Sequence, residues 1–322
     1  MRKPFICLLF LLVLVSGCIR QFAGAGQEQQ PEEPTRTITI ETEKTQVNST
    51  NTTPMFAPNI RWGEMPVRVW INEESGKGIS YWSDGTVPII KSAFGEWEDA
   101  SDGLLRFEFV PSEEDAQIIV NFSSTNLSIA DSGDTEKLGY GGPVWRGLGK
   151  FNIIESGFVI IVLQSMPCVT RDTAVHEIGH ALGFEHSNMP GSVMYMYATC
   201  TQVIDRPLVD MLQSLYSVPA LPDLVISRGE LKVAQNSFNV MLNVTNVGLS
   251  TGGNVTVAFF DDADGKELYR TNSAPLPPGY YLTLNYVHIQ KPGSGRLRIV
   301  VDPDNTINEL AEDNNAVTVD LK

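Results

Sequence analysis

The chain has 322 residues, 42% of them hydrophobic and 19% charged, and a formal charge of −15. That length suggests two domains, and the apolar content suffices for real cores. The acidic balance argues against nucleic acid as a partner and for an acidic, soluble surface.

Met1 to Cys18 has the plan of an export segment. Arg2 and Lys3 give a positive end, and Phe5 to Val15 is an apolar run too short to span a bilayer as a mature helix. The run ends Val15-Ser16-Gly17-Cys18, which resembles a lipoprotein signal. The resemblance implies cleavage before Cys18 and lipidation of that cysteine, hence an extracytoplasmic protein anchored to the cell membrane; failing lipidation, the protein is secreted. Residues 19–57 are biased toward Gln, Glu, Pro, Thr and Asn and are expected to form a disordered polar stalk, with at most a brief strand at Thr37 to Ile40. Asn48, Asn51, Asn121, Asn126, Asn243 and Asn254 stand in N-x-[ST] sequons, a pattern that also arises by chance in such sequence.

From Pro58 the pattern becomes that of a folded domain. Val67 to Ile71 alternates like a strand. Val87 to Ala100 places Ile89, Ile90, Ala93, Phe94 and Trp97 at helical spacing, and Asp102-Gly103 follows as a stop. Leu105 to Val110 and Ala116 to Phe122 predict two more strands, the second apolar enough for burial on both faces. Asn126 to Lys150 is rich in Gly, Ser and Asp. Within it, the glycines of Leu138 to Trp145 would let another backbone come close, while Asp131 and Asp134 read as turn residues before calcium ligands. Gly157 to Leu163 is a strongly apolar, central strand.

Arg171 to Leu182 is predicted as a helix capped by Thr170 or Asp172. It carries the start of HEIGHALGFEH, His176 to His186. A spacing of four sets His176 and His180 one turn apart on the same helix face. Gly183 lets the chain leave the helix where positive φ is required, so that His186 can return as a third ligand. Three neutral nitrogens with one open position are the donor set of a catalytic zinc site. The expected cofactor is therefore one catalytic Zn2+ on His176, His180 and His186. Glu177 is the expected catalytic base, taking a proton from zinc-bound water as that water attacks a carbonyl. Three of the chain's four histidines fall in this motif, and a random match to its full form is on the order of a few in a million.

HEIGHALGFEHS followed by Ser192 to Tyr197, SVMYMY, resembles the metzincin metalloproteases and, within them, the matrixins. The resemblance implies an α+β domain over residues 58–217, with a mixed twisted sheet and three helices. It also implies Met194 as an apolar floor under the histidines and 138–145 as an edge strand that pairs with substrate. The matrixin turn usually continues with Pro; here Met196-Tyr197 follows, and Tyr195 or Tyr197 is open to two roles, oxyanion donor or pocket wall. Many matrixins carry a latency cysteine and a second zinc on upstream histidines. No Cys lies between Cys18 and Cys168 and no His precedes His176, so neither is expected. Cys168 and Cys200, an even pair in an exported chain, predict a disulfide. Asp205 to Tyr216, with an acidic cap and an early Pro, predicts the last helix.

Pro219 to Pro222 reads as a linker. Residues 218–322 then alternate in short strands: Leu224–Ile226, Phe238–Val244, Asn254–Phe260, Leu282–Ile289, Arg296–Val301 and Ala316–Leu321, an all-β sandwich pattern. Asp223-Leu224-Val225, Val244 to Gly248, Val301 to Glu309 and Glu312 to Ala316 resemble the Ig-like CARDB family, which implies a surface setting and an adhesive role. The acidic–Asn runs read as Asx turns, and His288 as structural. Two functions compete. One is an exported, surface-anchored zinc endopeptidase acting on protein or peptide substrates. The other is a surface adhesion or binding protein with an inactive zinc domain, whose C-terminal domain meets a surface or cell-wall partner. Zinc-dependent cleavage separates them.

Overall fold

Two separate hydrophobic cores divide the chain in the computed structural model, which describes residues 35–41, 59–124, 138–147 and 151–322. The export segment, most of the polar stretch, Asp131, Asp134 and the sequons at Asn48, Asn51 and Asn126 lie outside the described residues. β1 (Arg36–Glu41) belongs with the second core.

The first core is built on a mixed sheet: β2 (Ile60–Trp62), β3 (Val67–Ile71), β4 (Phe107–Phe109), β5 (Ile118–Ser123), β6 (Gly139–Gly147) and β7 (Asn152–Val162). The order is β2-β7-β5-β3-β4; all these pairings are parallel, and β6 adds antiparallel to β7. β5, expected to be buried on both faces, alternates buried and half-buried residues: one face is fully covered, the other partly. A short α1 (Glu73–Gly76) follows β3. α2 (Thr86–Ala100) buries Ile90, Ala93, Phe94 and Trp97 at the predicted spacing. Trp97 joins it to the next helix, α3 (Pro167–Ala181): its Nε1–H donates to the Val175 carbonyl at 2.9 Å, and its ring stacks on Phe184 at 5.2 Å.

α3 begins four residues before its predicted start. Pro167, with φ preset for a helix, opens it, so Thr170 and Asp172 lie inside the helix instead of capping it. α4 (Arg206–Tyr216) starts as expected, with Asp205 accepting from the Leu208 N–H at 3.1 Å. Arg61 on β2 fastens its far end, donating from Nη1 to the carbonyls of Leu215 (2.7 Å) and Val218 (3.0 Å) with its guanidinium over the Tyr216 ring.

The second core lies between two antiparallel sheets. β8 (Leu224–Val233), β9 (Ser237–Asn246) and β12 (Tyr281–Gln290) join β1 in the order β1-β8-β9-β12. β10 (Asn254–Asp261), β11 (Glu267–Pro275), β13 (Arg296–Val301) and β14 (Ala316–Asp320) form the order β11-β10-β13-β14. β11 is the strand the sequence pattern missed. It is an edge strand with little buried surface, so it carries no apolar alternation to detect. β1 is the brief strand left open at Thr37 to Ile40, one residue longer at each end. It pairs antiparallel with β8 from Arg36↔Val233 to Glu41↔Arg228, turning Ile38 and Ile40 inward; Ile40 is 6% exposed. A free β8 edge would leave a row of backbone groups unpaired, and this distant segment supplies the partners. In the first acidic–Asn run Asp302 closes a wider loop than an Asx turn, accepting from the Ile307 N–H and the Thr306 hydroxyl, each at 2.8 Å. His288 meets Asn239 across β12 and β9.

The second lobe touches the first at the far end of β6. The Pro277 to Tyr280 turn, with Gly279 at φ +75°, packs on Arg146, whose guanidinium sits 4.3 Å over the Tyr280 ring.

Candidate active site

α3 carries His176 and His180 on the face turned toward β6, and Gly183 ends the helix. Gly183 adopts φ +97°; its N–H bonds to the His180 carbonyl and the Phe184 N–H to the Gly179 carbonyl, the paired bonds of a Schellman end. The chain turns there and brings His186 back, as the motif predicts. The three rings converge, with centroids 4.7, 5.1 and 4.9 Å apart.

Two carbonyls fix the ring orientations. His176 Nδ1–H donates to Val193 O and His180 Nδ1–H to Phe184 O, each at 2.7 Å. A carbonyl only accepts, so each Nδ1 holds the proton and each Nε2 keeps its lone pair. The Nε2 atoms of His180 and His186 are 3.3 Å apart. Two nitrogens bonded at ~2.0–2.1 Å to a tetrahedral ion would stand about 3.3 Å apart, so this spacing fits zinc. One ligand atom from each of the three side chains lies within 4.8 Å of the others. Burial holds His176 down at about 3, with His180 as the second cause, while its bond to Val193 pulls the other way. A ligand must be neutral, and this ring is neutral throughout the physiological range.

Met194 lies fully buried beneath the helix, its sulfur so close to Gly179 that a Cβ there would come within 2.3 Å. Its carbonyl accepts from the Ser187 N–H at 2.7 Å, tying the turn to the residue after His186. Met194 thus takes the floor position that the motif implied. Glu177 sits beside His176, nearly buried, with β6 running directly over it. A Cβ on Gly139 would come within 2.6 Å of Glu177 Oε1, and one on Gly141 within 2.3 Å of the Glu177 carbonyl oxygen. Only glycine at both positions lets the edge strand approach this closely. The expected edge strand over 138–145 is thus β6 (Gly139–Gly147), bordering the site.

Cys168 and Cys200 are bonded. The bridge ties the first turn of α3 to the segment after Met194. Gln202, which no sequence pattern singles out, braces the same segment. Its side chain donates to Tyr197 O at 2.7 Å and accepts from the Thr199 N–H at 3.2 Å, and its carbonyl accepts from Arg171. Tyr195 and Tyr197 both line the cleft, with rings 5.7 Å apart.

Residues 80–217 match the family model described as Matrixin, and residues 221–319 match the CARDB family model. The chain thus carries a matrixin domain followed by an all-β CARDB domain. A probable matrix metalloproteinase of Invertebrate iridescent virus 3 is 27% identical over 161 residues, 42% of this chain and 39% of that protein. The match spans about two fifths of that curated relative's length. Among solved structures, the CARDB domain of a Pyrococcus furiosus protein in complex with di-metal ions is similar at 21% identity and a TM-score of 0.23, covering 32% of this chain and 93% of that one. A domain of a Methanosarcina acetivorans protein is similar at 20% identity and a TM-score of 0.25, covering 31% of this chain and 89% of that one.

Proposed function

We propose that this chain is a zinc-dependent endopeptidase, exported and held at the cell surface through Cys18. The observation that carries the reading is the convergence of three oriented imidazoles next to a shielded carboxylate, under an exposed edge strand. His176, His180 and His186 would hold the ion through Nε2. Bound there, zinc supplies Lewis acidity toward a water and a scissile carbonyl. The Glu177 carboxylate accepts the proton of the attacking water and returns it to the nitrogen of the leaving amine. β6 offers backbone N–H and C=O groups to an extended peptide, holding it across the cleft as an added strand. Arg2, Lys3, the Phe5 to Val15 run and Cys18 support export and lipidation, and a fatty-acid mass increment on a mature N-terminal Cys18 is the corresponding observation.

The test is Glu177→Gln. The expected result is loss of peptide hydrolysis by about 10³-fold or more with bound zinc unchanged, because the amide keeps the shape and loses the base. Wild-type rates in that variant would remove Glu177 from the reaction.

A further inference from the structure

The cleft continues past the three histidines. The whole cleft, about 440 Å³ and lined by the histidines and Glu177 at one part, extends between the early turns of α3, the Tyr195 to Ala198 segment and β6. Helical spacing sets Asp172 one turn before His176 on the same stripe, with Thr173 beside it, and both residues line the cavity. Both are buried, at 2% and 4% exposure. Asp172 Oδ1 accepts from Arg171 Nη1 at 2.7 Å, but among the described residues Oδ2 has no hydrogen-bond partner, nor does Thr173 Oγ1. Arg171 is also paired with Glu96, so one guanidinium faces two carboxylates and one negative charge is left over. The rest of the wall is largely apolar, from Leu138, Tyr195, Met196 and Tyr197.

An apolar channel walled in part by two residues with buried, unsatisfied oxygens and a surplus negative charge matches a side chain with an aliphatic stem and a donating, cationic tip. A short aliphatic side chain would fill the channel and leave those oxygens shielded from water and unpaired, which a site built for hydrogen bonding penalises. We propose that this cavity is a specificity pocket for a Lys or Arg side chain flanking the scissile bond, with Asp172 and Thr173 as the residues that select it. The proposal rests on the peptidase reading for its site, and its test keeps the two apart.

Peptides identical except for Lys, Arg, norleucine, Leu or Glu at a residue flanking the scissile bond are offered to the zinc-loaded full chain. Cleavage is followed in the wild type, and binding in Glu177→Gln. The expected result is a kcat/KM for the Lys or Arg peptide at least tenfold above that for norleucine, with Kd in the same order. Asp172→Asn removes the charge at constant shape, and Thr173→Val removes the hydroxyl; each should lower the Lys-to-norleucine ratio at least fivefold. Thr173→Val, and the wild-type ratio itself, decide the matter if the Asp172 variant does not fold. Equal or better handling of norleucine and Leu in both assays overturns the proposal, as does an unchanged ratio in folded variants. Basic preference in binding with no cleavage of any peptide sinks the peptidase reading and supports the pocket; cleavage without preference does the reverse.

Discussion

In the second lobe Asn246, at 0% exposure, has its amide oxygen taken by the N–H groups of Asp223 and Gly248, and its amide nitrogen bonds the carbonyls of Ser250 and Leu276. In the first lobe Asp172 and Thr173, nearly as buried, each keep an oxygen unpaired, as does Asp205, and Trp62 keeps its indole Nε1 unpaired. Among the described residues, all four buried side chains with a partnerless atom belong to the first lobe. The sandwich spends its buried polar groups on its own loops, as a structural or docking domain can. The first lobe holds some in reserve beside a cleft, as a site that must meet a ligand does. The glycines divide in a similar way. Gly139 and Gly141 let two elements close over Glu177, whereas Gly248 and Gly279 shape turns where the lobes and the linker meet.

The largest change that sharpens this contrast is Gly141→Ala. Its Cβ would come within 2.3 Å of the Glu177 carbonyl oxygen, so β6 must lift off α3. Peptidase kcat/KM is expected to fall about 100-fold, with ~1–3 kcal/mol lost from the first lobe and none from the second. Steady-state kinetics and domain-resolved melting measure both. An unchanged kcat/KM would show that β6 has slack over the site.

Removing the disulfide with Cys168→Ser and Cys200→Ser comes next. The bridge closes a 32-residue separation, so about 2–4 kcal/mol of stability should be lost, seen as a lower melting temperature of the first lobe. KM should rise more than kcat falls, because the bridge positions the Tyr195 to Gln202 wall and not the histidines. A fall in kcat alone would place the bridge's effect at the reacting centre.

The smallest effect lies in the sandwich and depends on pH. Glu309, 5% exposed, accepts from the Leu224 N–H and the Asn315 amide. Burial pushes its pKa up to about 7 from an ordinary 4.5, against the pull of those two bonds. Between the two values the folded chain holds a proton that the unfolded chain releases. This contribution is therefore complete below pH ~4.5 and is lost as pH rises toward ~7, with a slope of at most about 1.4 kcal/mol per pH unit. Denaturant titrations across pH 4–8 should show the decline, and Glu309→Gln should flatten it. A stability that instead rises over that window would contradict the assignment.

The candidate metal site was legible because its signal is local. A spacing of four between two histidines makes one helical turn, and Gly183 three residues later is the helix end. The expected apolar face of α2 and the Asp205 cap are local in the same sense. What stayed hidden depends on distant partners. Thr37 to Ile40 offers only a short alternation with no visible partner until the β8 edge, almost two hundred residues downstream, gives Ile38 and Ile40 a core to enter. β11 is an edge strand and needs no apolar face. Asp172 reads as a cap because Asp favours caps, and only the earlier start at Pro167 turns it into a cleft residue. Gln202 carries no pattern at all; its bonds exist only once the bridge has folded its segment back on α3.

The account stands most directly on metal content measured together with turnover. The purified full chain should contain about one equivalent of zinc, lose it to a chelator along with all peptide cleavage, and regain both on adding zinc back. A folded chain that takes up no zinc, or that cleaves peptides equally well after the metal has been removed, would contradict it.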